Sequence, residues 1–277
     1  MTSIAEKLLF ATVRIDTSNS QGSGSGTGFI YIQKIGDQFI PVIVSNKHVV
    51  NGYTHGSVTF TIKKDGKPKL GNGFRLDIGD FEQCWFGHPS PDIDVAILPL
   101  AHLEEHLKSK GVEIFYQAIT EDIVPDTEAI KGLDAFEELV FIGYPNGIWD
   151  KTNLLPIMRT GTTATPLSID FEGKPKFLMD ASVFPGSSGS PVFIYNPGMY
   201  FSKTGTTTVG TRLMFVGVVS AVFFREDTNE IVSAPIPTQN SRPVARSKEM
   251  IDLGIVFKAA TIQETLNALA KSKGIEA

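Results

Sequence analysis

Along most of the chain, apolar residues come in short runs that either alternate with polar residues or are continuously apolar. Gly, Asn, Asp or Pro closes each run. In the first part of the chain these runs are GFIYIQKI, FIPVIVS, SVTFTIKK, FRLDIGD and DVAILPL. Alternation with a period of two sends side chains to opposite faces of a strand. Runs of this length and spacing therefore predict the short strands of an antiparallel barrel or sandwich. A short helix is expected over residues 3–10, ahead of a strand over 11–16.

Between about 101 and 135 the texture changes: AHLEEHLKSKG and TEDIVPDTEAIKGLDAFEEL are polar, helix-prone and rich in turn residues, as suits a connection. Strand texture returns in LVFIGYP, IMRTGTTAT, KFLMDAS, SPVFIYN, LMFVGVVSAVFF and LGIVFK. Ile262, Leu266 and Leu269 then recur at helical spacing and predict a closing amphipathic helix. No strand–helix alternation of the parallel α/β kind appears. The expected architecture is all-β with two β-barrels: the first over residues 1–115, a linker over 116–135, and the second over 136–277 with the terminal helix.

Composition narrows the function classes. The chain has 277 residues, 42% of them hydrophobic and 20% charged, enough for a sizeable core. Its formal net charge is −5, so no strong basic field points to nucleic acid or to an anionic membrane, and neither is expected as a partner. Lys63, Lys64, Lys67 and Lys69 form the densest basic stretch, but Asp65, Gly66 and Pro68 interrupt it, which predicts a solvated hairpin tip. Cys84 is the one cysteine, so no intramolecular disulfide forms. The start of the chain lacks the basic and apolar regions of a signal peptide, and no apolar run approaches the ~18 residues of a membrane span. These features predict a cytoplasmic, reducing location.

Three motifs invite chemistry. GSGSGTG, residues 22–28, has Thr27 where a dinucleotide-binding motif needs its third glycine and no βαβ surroundings, so a flexible glycine turn before a strand is expected. His102, Glu105 and His106 match H-x-x-E-H, with two imidazoles on one helical face. A catalytic zinc still needs a third protein ligand, and none lies at a telling spacing; a solvated charged face is expected instead. No metal and no cofactor are expected.

The third constellation is spread over three segments. VIVSNKHVV sets His48 at the end of an apolar strand, DIDVAILPL sets Asp94 at the start of another, and FPGSSGSPVF sets Ser188 in a glycine turn leading into a strand. A serine hydroxyl is a poor nucleophile unless a base lies within hydrogen-bond reach and a carboxylate orients that base. Asp94 directly precedes VAIL, whereas Asp92 follows Pro91 and reads as a turn residue, so Asp94 is preferred. The order His, Asp, Ser differs from that of subtilisin-type enzymes and of α/β-hydrolases. His55 and His88, flanked by glycine or proline, are expected at the surface, and Trp85 and Trp149 as packing anchors.

With these residues the chain resembles the chymotrypsin-fold (trypsin-like) serine proteases, on the disulfide-free bacterial side near the HtrA (Deg) proteases. The resemblance covers about residues 10–258 and rests on GSGTGF (24–29), VSNKHVV (44–50), DVAILPL (94–100), FIGYPNG (141–147) and LMDASVFPGSSGSPVF (178–193). It implies two antiparallel six-stranded barrels and an endopeptidase with an acyl-enzyme intermediate, acting on a protein or peptide. His48, Asp94 and Ser188 would be its triad, and the backbone N–H groups of Gly186 and Ser188 its oxyanion hole. It also places Ser182 at the base of the primary specificity pocket and Ser220, Ala221 and Val222 along its wall, and GVVSA (217–221) on the strand that pairs with substrate.

Several positions depart from the family pattern. Val49 stands where secretory members have cysteine, Ser187 where they keep the activation aspartate, and Ser190 where glycine is usual. N-terminal zymogen activation and a PDZ domain are not expected. Control by a protein partner or by rearrangement of the FPGSSGS loop is, with residues 225–250 as a candidate cover. A catalytically silent peptide-binding module on the same fold is the alternative.

Overall fold

In this computed structural model, residues 2–230 and 244–274 are described. The chain opens with helix α1 (Ile4–Leu8), whose capping box joins Ser3 and Glu6. A sheet follows, built from β1 (Thr12–Asn19), β2 (Gly22–Ile35), β3 (Gln38–Ser45), β4 (His55–Lys64), β5 (Lys67–Gly79), β6 (Phe86–Gly87) and β7 (Ala96–Pro99), with the one-turn helix α2 (Lys47–Val50) after β3. Its order is β5-β4-β1-β2-β3-β7-β6, and the short β8 (Ile114–Phe115) and β9 (Ile119–Thr120) pair with β4 and β2. Helix α3 (Ala101–Ser109) joins β7 to β8 within the first unit, and helix α4 (Thr127–Gly132) lies in the segment that leads to the second.

The remaining strands are β10 (Glu138–Gly143), β11 (Ile157–Thr163), β12 (Lys176–Asp180), β13 (Pro191–Asn196), β14 (Met199–Phe201), β15 (Thr207–Val209), β16 (Arg212–Glu230) and β17 (Val244–Lys258). Six of them close into the barrel β10-β11-β12-β17-β16-β13, and helix α5 (Ala260–Ser272) ends the fold.

Strand periodicity divides the interior into three cores. On β2, Ile30 points into the first sheet's own core with Val13, Ile15, Ile43 and Val58. Its neighbours Phe29 and Tyr31 point the other way, into a shared core with Ile142, Phe193, Phe215 and Phe257 of the barrel. The barrel encloses Leu139, Phe141, Phe177, Met179, Val192, Ile194 and Val256. The shared core is the seam between sheet and barrel. Phe215 sits at its centre, with ring centroids 5.4 Å from Phe29, 5.6 Å from Phe193 and 6.1 Å from Tyr31. Helix α5 lays Ile262, Leu266 and Ala270 on the same core, the face its spacing predicts.

The fold class is the expected one, with four differences in detail. First, the first sheet follows an open path, and at the turn Phe81–Cys84 its core takes in Phe81 and Trp85, whose rings pack edge to face at 5.7 Å. Second, GSGSGTG is part of strand β2, not a turn. Its glycines serve close packing: a Cβ on Gly26 would stand 2.5 Å from Val49 Cγ1, and one on Gly28 2.8 Å from Ile43 Cγ2. Third, His88 is buried, its Nε2 3.2 Å from Glu264 Oε2 on α5 and its Nδ1 accepting the Ser90 N–H. Fourth, α3 is amphipathic, with Leu107 buried. The lysine-rich hairpin tip is as expected: Asp65 and Gly66, both at positive φ, turn β4 into β5. Of the candidate cover 225–250, β16 and β17 pair as far as Glu230 and Val244, and residues 231–243 lie outside the described residues.

Removing the Phe215 ring empties the centre of the seam. Phe215→Ala is expected to destabilise the fold by about 3–5 kcal/mol. Val209→Ala, at a side chain 88% exposed, is expected to change stability by less than ~0.5 kcal/mol. Urea denaturation midpoints compare the two.

Candidate active site

Strand β3 ends at Ser45, and the chain turns at Asn46 into α2. Val49 and Val50 anchor this single turn in the first core, and Val49 fits because Gly26 beneath it has no side chain. With those two residues pointing inward, His48 is left half-exposed, its side chain 49% accessible. Lys47 Nζ donates to Ser90 O at 2.7 Å and ties α2 to the loop before β7. Burial lowers the pKa of its ammonium, while the nearby Asp94 charge pulls the other way.

Asp94 closes that loop. His88 N donates to Val95 O (2.8 Å), and Asn46 Nδ2 donates to Asp94 O (2.6 Å). The carboxylate accepts from three donors: His48 N–H to Oδ1 at 3.0 Å, His48 Nδ1 to Oδ2 at 2.5 Å, and Ser220 Oγ to Oδ2 at 2.6 Å. A carboxylate facing Nδ1 holds the proton there, which leaves Nε2 as the free lone pair of the ring.

The third element is the turn between β12 and β13. Gly186 (φ +88°) and Gly189 (φ +86°) are both left-handed, and a side chain on Gly189 would strike Thr27 O. Pro185 O accepts Asn146 N–H at 2.5 Å. A planar trans peptide points its N–H opposite to its carbonyl, so Gly186 N–H faces the other way. Among the described residues, neither Gly186 N–H nor Ser188 N–H donates a hydrogen bond. These are the two N–H groups that the resemblance assigns to the oxyanion hole. Ser188 Oγ donates to Ser220 O at 3.1 Å and not to His48.

The residues expected at the specificity pocket differ in exposure. Ser182 and Val222 are half-buried and Ala221 is exposed. Ser220, expected on the pocket wall, turns its hydroxyl onto Asp94 at a bulge between Val219 and Ala221 that breaks the pairing of β16 with β17. Sequence reasoning missed this role; its only local signal is a buried-strand serine next to Ala221. Beyond Val219, β16 has no partner on its β13 side among the described residues, so that edge is open. The departure at Ser190 has a steric counterpart: its buried hydroxyl fills the place of a Cβ on Gly143.

The remaining candidates lie elsewhere. His102 and Glu105 are on the solvent face of α3, their side chains 91% and 78% exposed. Asp92 forms an exposed ion pair with Lys174 at 3.4 Å. Trp149 packs edge to face on Tyr144 and under the Arg14 guanidinium.

Asp94 pairs with His48 and with Ser220, and Ser220 O in turn accepts the Ser188 hydroxyl. The family model of the trypsin-like peptidase domain matches residues 26–196, and the chain belongs to that family; its enzyme class is that of the trypsin-like serine proteases. Among solved structures it is similar to the inactive form of the Rv3671c protein from M. tuberculosis, with 15% identity, 96% of this chain and 90% of that one covered, and a TM-score of 0.46. It is also similar to the serine endoprotease from Yersinia pestis, with 14% identity, 96% and 65% covered, and a TM-score of 0.48. The thermostable serine protease AL20 from an extremophilic microorganism shares 12% identity over 95% of this chain and 98% of its own, with a TM-score of 0.48. None of the curated proteins matches the sequence.

Ser220→Ala removes one of three donors from an ionised carboxylate. A hydrogen bond to a charged group contributes about 1.5–3 kcal/mol, so peptidase kcat/KM is expected to fall roughly 10- to 100-fold. Asp92→Asn is expected to leave it unchanged, and parallel assays on one peptide substrate check both.

Proposed function

We propose that the chain is a serine endopeptidase that cleaves peptide bonds in two steps through an acyl-enzyme. Ser188 Oγ attacks the scissile carbonyl carbon as His48 Nε2 takes its proton, and the resulting oxyanion is held by the N–H groups of Gly186 and Ser188. His48 then gives that proton to the leaving amine as the C–N bond breaks. Water, deprotonated by His48, attacks the ester; its collapse returns the proton to Ser188. Asp94 orients His48 and stabilises its charged form. The observation that carries this reading is the close Asp94–His48 pair beside a serine turn with two undonated N–H groups.

The substrate is a protein or peptide whose strand adds to the open edge of β16, with its side chain between Ser182, Ala221 and Val222. Ser182 brings no charge to the pocket base and Val222 narrows it, so a small or medium apolar residue is preferred before the cleaved bond. The enzyme works in a reducing, cytoplasmic setting, consistent with the free thiol of Cys84. The division into units 1–115, 116–135 and 136–277 assigns His48 and Asp94 to the first and Ser188 to the last. Control is by a protein partner, by a cover over the cleft or by rearrangement of the FPGSSGS loop; the absence of a hydrogen bond from either oxyanion donor favours the first two. The binding-module alternative draws on one observation, the Ser188 hydroxyl resting on Ser220 O; catalytic hydrogen bonds often tighten only once substrate is bound.

A fluorophosphonate probe is expected to label the protein and to fail on Ser188→Ala. Absence of labelling under every condition, added partners included, moves the chain to the binding reading. Digestion of a peptide library tests the pocket, where dominant cleavage after Lys or Arg would overturn the apolar preference. Rapid casein hydrolysis by the purified protein, unchanged by any partner, overturns the control.

A further inference from the structure

Resting on the peptidase reading, we propose that Thr27 is a positioning residue that holds the oxyanion loop in its competent shape from the opposite sheet. Thr27 is fully buried in β2, and all its polar groups are engaged around that loop. Its N–H donates to Ser188 O (2.9 Å) and its hydroxyl to Gly186 O (2.8 Å). The same hydroxyl accepts Tyr144 N–H (3.1 Å), and Thr27 O accepts the Ser45 hydroxyl (2.8 Å).

The peptide units explain why this matters. The N–H of Ser188 belongs to the unit between residues 187 and 188. Thr27 fixes the carbonyls of the units on either side, Gly186 C=O and Ser188 C=O, and each unit is rigid and planar. Gly186 is the residue about which the loop can turn most freely, since glycine takes either sign of φ. With its carbonyl held by Thr27 Oγ1 in a buried hydrogen bond and the preceding carbonyl held by Asn146 N–H, neither flanking plane rotates without losing a hydrogen bond.

The backbone part of this contact is open to almost any residue; the hydroxyl part is not. The position needs one atom that donates to Gly186 O and accepts from Tyr144 N–H at once, which a hydroxyl does and a methyl cannot. The space is equally restricted, because Thr27 Oγ1 lies 2.5 Å from where a Cβ of Gly143 would stand. The branched side chain adds a stiff χ1, which keeps the hydroxyl aimed.

The test compares Thr27→Val, which keeps the shape and loses the hydroxyl, with Thr27→Ser, which keeps the hydroxyl. Loss of oxyanion stabilisation costs about 10²–10³ in rate when a donor is deleted outright, so misplacing one is expected to lower kcat about 10- to 100-fold in Thr27→Val. KM is expected to stay within about twofold, and a peptide aldehyde, whose adduct carries the oxyanion, to bind more weakly by the same factor as kcat. Thr27→Ser is expected to recover kcat to within about threefold. Wild-type kcat and aldehyde affinity in Thr27→Val, or equal losses in both variants, overturn the proposal. If Thr27→Val does not fold, Thr27→Cys carries the comparison with its weaker donor. Fluorophosphonate labelling of the wild type tests the peptidase reading separately. Independently of turnover, a crystal structure of Thr27→Val with the Gly186 carbonyl unmoved also overturns the role of Thr27.

Discussion

The site depends first on the apolar seam around Phe215. His48 and Asp94 stand on the open sheet, and Ser188 and Ser220 on the barrel or its connecting turn. The hydrogen bond from Ser220 to Asp94 crosses between them and tolerates only tenths of an ångström. A surface contact could not hold two β units to that tolerance. The seam does so because β2 is buried on both faces, Ile30 in one core and Phe29 and Tyr31 in the next, so the strand belongs to both layers at once. The aromatic contacts of Phe215 with residues from both layers add geometric preference to the burial.

Over that seam the site is shaped as much by missing side chains as by present ones. Gly26 makes room for Val49, which seats the turn carrying His48. Gly143 makes room for the hydroxyls of Ser190 and Thr27, and Gly189 for the approach of the Thr27 carbonyl. The chain therefore brings the nucleophile turn against the first sheet at backbone contact distance. At that distance backbone and hydroxyl hydrogen bonds, not side-chain bulk, set the orientation of the peptide planes.

Much of this was legible from local pattern. Alternation located the strands, the Asp-Gly pair located the hairpin tip, and helical spacing located the buried face of α5. What remained hidden depended on residues distant in sequence. GSGSGTG has the composition of a turn, and only the presence of Val49 and Ile43 beside it shows why a strand needs those glycines. His88 has surface-like neighbours, yet its burial and its Glu264 partner come from α5, 176 residues away. Ser220 reads as a wall residue until the bulge in β16 turns it toward Asp94. The open path of the first sheet, with the Phe81–Trp85 pair packed in its core, is an outcome that strand count alone does not contain.

The restraint on the proposed catalytic groups is uneven, and that unevenness bears on the proposed control. Asp94 accepts three side-chain or backbone donors, and its own carbonyl is held by Asn46, so the charge that orients His48 is fixed before substrate arrives. Around the two N–H groups proposed to hold the oxyanion, the neighbouring carbonyls are held by Asn146 and Thr27. The Ser188 hydroxyl, by contrast, has a single 3.1 Å bond to a carbonyl on the open edge of β16. A rotation about one side-chain bond moves it, at a cost near the ~1 kcal/mol of one neutral hydrogen bond. The proposed control, applied at Asp94 or at the loop, would have to break several hydrogen bonds. Applied at the open edge of β16, beside the carbonyl that holds the Ser188 hydroxyl, it has far less to overcome.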